Sequence, residues 1–191
     1  AQTTTAWGIE DWQTALGHVG HPGAAVSELV EGFRVPGAVI DYAARLLPHI
    51  APGLTPPRSI RHSRGELTIV AGDPWVGLAG EVDRLASREG TLGVIVPSSW
   101  VDCVSEALAG VEHSVLGRGA RDPDAIVRIE VVDAALAKGL EFDHVLLLEP
   151  AGLVAQEPDR RTGLRRLYVC LTRAVTSLTI LHGEPLPEQL A

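Results

Sequence analysis

Beyond a proline-rich segment at 51–64, the chain alternates short apolar runs with longer amphipathic stretches, and this alternation restricts the fold more than any other feature. The apolar runs are LTIVAG at 67–72, LGVIVPSS at 92–99, IVRIEVVD at 126–133, DHVLLLEP at 143–150 and SLTILHG at 177–183. Helical periodicity predicts helices near Val76–Arg88, Trp100–Ala109 and Thr162–Ala174. Runs that are apolar throughout, separated by helices, predict a mostly parallel sheet with helices on both faces, the α/β class.

The first third of the chain is helical in pattern. Helices are expected over about Pro22–Leu29 and Pro36–His49. In the second, Val39, Ile40, Ala43, Ala44, Leu46 and Leu47 recur at helical spacing, and Pro36 suits the first turn. APGLTPPRSIRHSR at 51–64 and the segment Arg118–Asp124 read as loops. A length of 191 residues suits one well-buried domain, and no repeat or low-complexity tail divides it.

Several function classes are excluded by what the sequence lacks. No apolar run approaches the roughly eighteen residues of a membrane helix, and AQTTTAWG does not resemble a secretory signal, so a soluble cytoplasmic protein is expected. Cys103 and Cys170 are isolated, and the histidines follow no ligand spacing, so neither a disulfide framework nor a metal site is expected. A net charge of -8 argues against a broad basic surface for nucleic acid. The single lysine, Lys138, lies in ALAKGLEFDHV rather than in a GxxxxGK[ST] phosphate loop. GxGxxG and GxSxG are missing too, and no nucleophile, base and orienting group cluster in sequence, which disfavours a free-standing small-molecule enzyme. With no Met anywhere, the chain reads as an excised fragment, although removal of an initiator methionine before Ala1 would look the same.

Three segments carry a resemblance. LVEGFRVPGAVIDYAARLL at 29–47 resembles motif IV of UvrD/Rep-type superfamily 1 helicases, VVDAALAKGLEFDHVLLLEP at 131–150 their motif V, and LRRLYVCLTRAVTSLTIL at 164–181 their motif VI, in the family's order. AQTTTAW resembles the end of motif III. The resemblance covers almost the whole chain and implies that 1–191 is the second RecA-like motor domain of a larger protein, with 1–20 the end of motif III and a linker. Such a domain completes the ATP site of an upstream P-loop RecA-like domain, which supplies the Mg²⁺ ligands.

The resemblance also implies roles for individual residues. Arg173 matches an arginine finger on the γ-phosphate, a group commonly worth about 10³ to 10⁵ in rate, and the apolar helical stretch before it would aim the guanidinium outside its own domain. Arg34 matches the second phosphate-contacting arginine. Phe33 takes the place of an aromatic that stacks on adenine, although by residue type alone it reads as core. Glu141 matches the carboxylate that accepts from the ATP ribose, and Gly139 lets the backbone bend close to the nucleotide. By charge alone, Lys138 and Glu141 read as solvated loop residues. Gln2 corresponds to the motif III glutamine, and Trp7 to an aromatic that stacks on a nucleic-acid base, a contact worth about 1 to 3 kcal/mol, although by residue type Trp7 reads equally as a core-packing side chain.

Two departures narrow the reading. Asp133 and Ala135 stand where UvrD-like members carry a Thr and a His that touch the DNA strand, and Asp133 would repel phosphate. The stretch between motifs IV and V accommodates only the RecA-like sheet, without the large inserted subdomain. Both features, with AQTTTAWGIEDW, are similar to the HelD-like branch, motors associated with bacterial RNA polymerase. The expectation is an ATP-dependent helicase or translocase domain acting on nucleic acid or remodelling RNA polymerase. The alternative is a non-catalytic docking module for a protein partner.

Overall fold

The computed structural model describes residues 3, 11–61, 63–118 and 127–191. In chain order the elements are α1 (Trp12–His18), β1 (Glu31–Gly32), α2 (Gly37–Ala43), α3 (Leu47–Ile50), β2 (Arg58–Ser59), β3 (Glu66–Ala71), α4 (Pro74–Ala86), β4 (Leu92–Val96), α5 (Val101–Ala107), β5 (Ser114–Val115), β6 (Ile129–Asp133), β7 (Phe142–Leu148), α6 (Pro150–Ala155), α7 (Arg160–Leu171) and β8 (Ala174–His182). Strands β3 to β8 form a six-stranded sheet in the order β3–β8–β7–β4–β6–β5, with every pairing parallel. β1 and β2 pair separately, also in parallel.

Alternate side chains of the central strands feed two cores. On one face Ile95, Val132, Val145, Leu147 and Ile180 pack beneath α2, α3 and α7. On the other, Val94, Val131, Leu146, Leu148 and Leu181 pack beneath α4 and α5. β4 is buried along its whole length, and each such Val, Leu or Ile stabilises the fold by about 1.5–3 kcal/mol. The α/β class with helices on both faces is therefore observed.

Helix boundaries follow local chemistry. Asp73 accepts from the Trp75 amide at 2.9 Å and Pro74 occupies the first turn, which starts α4. Asp159 takes both the amide and the hydroxyl of Thr162, at 2.9 and 2.7 Å, and starts α7. At the far end of α7, the Thr172 hydroxyl donates to the carbonyls of Tyr168 and Val169. The helix stops at Leu171 and β8 begins at Ala174, earlier than the sequence pattern placed that change.

Other differences are equally local. No helix forms over Pro22–Leu29: this stretch is exposed, Leu29 to 94%, so its apolar residues have no face to bury. A helix forms instead at α1, where Asp11 caps the Thr14 amide at 2.8 Å. The expected helix over Pro36–His49 is broken into α2, a 3₁₀ turn at Ala44–Leu46 and α3, because Pro48 lacks the N–H needed to continue an α-helical ladder. β3 is an edge strand, and Ile69 on it is 43% exposed, so this run is not enclosed like the others. α6 follows β7 without having been anticipated. The loop reading at Arg118–Asp124 falls outside the described residues except at Arg118.

Candidate functional site

The beginnings of β7 and β8 lie side by side, with Phe142 in register with Ala174. The residue before each strand therefore reaches the same edge of the sheet: Glu141 before β7 and Arg173 before β8. Phe142 donates its amide to the Arg173 carbonyl at 3.1 Å, which fastens the two strand entrances together. The Phe142 ring is accommodated by Gly93 on β4, where a side-chain carbon would come within 2.7 Å of the ring. Gly139 turns the chain into this edge with φ +91°, a conformation that favours glycine.

Arg34 arrives from the loop between β1 and α2, and its Nη1 pairs with Glu141 Oε1. The two side chains are 48% and 45% exposed, so the pair contributes no more than about 1 kcal/mol and is accessible to a ligand. Phe33 is 74% exposed. It is not a core residue, despite its type, and it borders a cleft of about 280 Å³ together with Arg34, Val35, Arg58, Tyr168 and Thr172. Lys138 is exposed beside Gly139.

Arg173 is oriented differently from the expectation of an outward-aimed guanidinium. It is only 3% exposed. Its Nε donates to the Val169 carbonyl at 2.8 Å, Nη1 to the Leu140 carbonyl at 3.1 Å and Nη2 to the Thr172 hydroxyl at 3.1 Å. The cause is the end of α7, whose last carbonyls lack helical partners and take up a cation instead. Burial, reinforced by the nearby charge of Arg34, lowers the Arg173 pKa from the usual arginine range. Three of the anticipated residues, Arg34, Glu141 and Arg173, are thus brought to one edge, with Phe33 bordering the adjoining cleft. Gln2 and Trp7 lie outside the described residues.

Asp133 has a local structural task at the opposite end of β6. Its Oδ1 accepts from the Ala135 amide and the Ser98 hydroxyl, both at 2.8 Å. Ala135 is exposed, and its carbonyl accepts from Arg166 Nη1 at 3.1 Å. Among the described residues, no group of three or more His, Cys, Asp or Glu is arranged to hold a metal ion.

The segment PPRSIRHSR, read from sequence as a loop, contributes unforeseen residues. Arg58 borders the cleft, and Arg61 Nη1 donates to the Arg34 carbonyl at 3.1 Å and to the carbonyl of Val175. Three arginines in a proline-rich stretch were the available signal.

No family model matches the chain, and no curated protein matches it. Among solved structures, the C-terminal domain of a possible DNA helicase from Lactobacillus plantarum matches with TM-score 0.59 and 19% identity, over 84% of this chain and 92% of that one. The arterivirus nonstructural protein 10 helicase matches with TM-score 0.41 and 15% identity in its complex with DNA, and with TM-score 0.42 and 14% identity in a second structure. These cover 77% and 81% of this chain but 30% and 33% of the viral protein. The first of these likenesses, together with the parallel sheet and its two helical layers, shows that the chain has an α/β RecA-like fold, which it shares with that domain.

Proposed function

We propose that this domain is the second half of an ATP-driven helicase or translocase motor of the UvrD/Rep type, nearest to the HelD-like branch. It would close over ATP held with Mg²⁺ by an upstream P-loop RecA-like domain. The observation that carries the reading is the convergence of Arg34, Glu141 and Arg173, from three distant stretches of sequence, on the edge where β7 and β8 begin.

The residues fit a nucleotide. Phe33 offers an exposed aromatic face to a base, and Glu141 a solvent-accessible carboxylate to a ribose hydroxyl. Arg34 presents a half-exposed guanidinium for a phosphate. Arg173 would turn from its own domain's carbonyls to the γ-phosphate, where charge develops during transfer. Domain opening and closing would then move nucleic acid or remodel a complex such as RNA polymerase in the cytoplasm.

The rival reading is a docking module that has kept the fold without ATP turnover, and the inward-turned Arg173 is the observation in its favour. ATPase assays on the full-length protein separate the two. A large fall in kcat for both Arg34→Ala and Arg173→Ala supports the motor, and unchanged turnover in folded variants supports the docking module.

A further inference from the structure

Arg61 lies outside every motif, yet it touches both arginine-bearing segments. Its Nη1 donates to the carbonyl of Arg34 itself, at 3.1 Å, and to the carbonyl of Val175, two residues beyond Arg173. The bond to Val175 is partly buried.

The surrounding backbone makes the same connection. Ile60 donates to the Gly32 carbonyl at 3.0 Å, and Ala38 donates to the Arg64 carbonyl at 2.9 Å. β1 and β2 pair Glu31 with Arg58 and Gly32 with Ser59. Gly65, at φ +68°, is pressed between Pro36 and β8, and a side-chain carbon there would come within 2.7 Å of Pro36 Cγ and 2.8 Å of the Thr176 carbonyl oxygen. Residues 58–61 and 63–65 therefore form a strap between the Arg34 loop and the start of β8. The more direct link, from Arg34 to Glu141, is a half-exposed ion pair with little holding power.

We infer that Arg61 is a positioning residue that holds the backbone segments bearing Arg34 and Arg173 at a fixed spacing, so that both side chains start from set positions when Arg173 turns outward to an incoming polyphosphate. This rests on the motor reading above. Both bonds leave one guanidinium nitrogen, Nη1, whose two N–H groups diverge in a rigid plane. A lysine ammonium also carries several donors but lacks the rigid plane that aims them. Because the arginines act mainly as phosphoryl transfer proceeds, loosening their spacing lowers kcat more than it raises KM.

The test uses the full-length protein with Arg61→Ala, Arg61→Lys, Arg34→Ala, Arg173→Ala and the double variant Arg34→Ala/Arg61→Ala. ATPase kinetics are measured alongside amide hydrogen exchange of residues 32–38 and 174–177. Arg61→Ala is expected to lower kcat about 10- to 100-fold with KM changed less than about threefold. Arg61→Lys should recover part of the loss, and the loss should be smaller in the Arg34→Ala background. Both segments should exchange faster in Arg61→Ala. Unchanged exchange in either segment overturns the link, whatever the turnover. Faster exchange with unchanged kcat, while Arg34→Ala and Arg173→Ala remain slow, overturns the positioning role and leaves the motor reading standing. A kcat loss that is fully additive with Arg34→Ala, or that accompanies a matching rise in KM, also overturns it. If none of the arginine variants alters turnover, the motor reading itself fails and this inference falls with it.

Discussion

Arg173 Nη1 donates to the Leu140 carbonyl at 3.1 Å, which fastens the arginine to the residue immediately before Glu141. The proposed phosphate finger and the proposed ribose contact are therefore parts of one hydrogen-bonded unit. A change at either is felt at the other, and a finger in this position has a structural task before any nucleotide arrives.

Arg173→Ala should consequently have two separable effects. Removing a side chain that is 3% exposed and donates to Val169, Leu140 and Thr172 should cost about 1–3 kcal/mol of stability. In the full-length protein kcat should also fall by about 10³. Thermal melting and ATPase assays check the two effects independently. Lower stability with normal turnover would make Arg173 a brace for the end of α7 and nothing more.

Glu141→Gln should give the opposite balance. Its ion pair with Arg34 is half exposed, so stability should change by less than about 1 kcal/mol. The amide is a poorer acceptor for a ribose hydroxyl, so ATP KM should rise by several-fold, since a charge-assisted hydrogen bond is worth about 1 kcal/mol more than a neutral one. An unchanged KM would remove Glu141 from the nucleotide contacts.

These two residues also show what could be read from sequence. The runs around β4, β6, β7 and β8 were legible because buried parallel strands must be continuously apolar, and the positions of Glu141 and Arg173 followed from the segments around them. The inward orientation of Arg173 was not legible, because it depends on unpartnered carbonyls at the end of α7, which appear only once that helix stops at Leu171. Arg61 was missed for a related reason: its partners are carbonyls of Arg34 and Val175, and backbone acceptors carry no signature in sequence. The failed helix at Pro22–Leu29 had the residue types of a helix but no surface to pack on.

The junction between β4 and β7 should be sensitive to acid. The Thr91 amide donates to Asp143 Oδ2 at 2.8 Å and the Thr91 hydroxyl donates at 3.0 Å, and the amide bond above all holds the Asp143 carboxyl below its usual pKa despite partial burial. Because the folded-state pKa is depressed, this stabilisation is fully present above the unfolded value of about 3.9 and is lost as pH falls through the folded value. Asp143→Asn should therefore be less stable than the parent at about pH 7, and the difference should shrink towards about pH 3. Melting curves across that range check the sign. A difference that grows on acidification would contradict the assignment.

The two cysteines should report on folding separately. Burial pushes the Cys170 thiol up to about 12, whereas Cys103 is exposed. Thiolate is the reactive species, so Cys103 should label rapidly under native conditions while Cys170 waits for the core beneath α7 to open. Mass spectrometry of a labelling time course checks this, with denaturant supplied to release Cys170. Rapid labelling of both thiols in the folded protein would mean that α7 opens far more readily than its buried residues imply.

The last prediction concerns nucleic acid, and it rests on charge and on Asp133. The chain carries net charge -8, and Asp133 is committed to the Ser98 hydroxyl and the Ala135 amide, which fixes its carboxylate at the position that the proposed motif V resemblance would give to a DNA contact. Few cationic contacts to phosphate mean few counterions released, so this domain by itself should bind free single-stranded DNA weakly and with only a shallow salt dependence. Asp133→Thr would remove the negative charge but also disturb the 3₁₀ turn at Ala134–Leu136 that Asp133 caps. Asp133→Asn is the cleaner variant, because it keeps the cap acceptor while neutralising the charge. It should tighten DNA binding modestly, with the gain shrinking as salt rises. Measured beside co-purification with RNA polymerase, this separates two classes of substrate. Weak DNA binding with polymerase association places the motor on a protein assembly, whereas tight, steeply salt-dependent binding with strand unwinding places it on DNA directly.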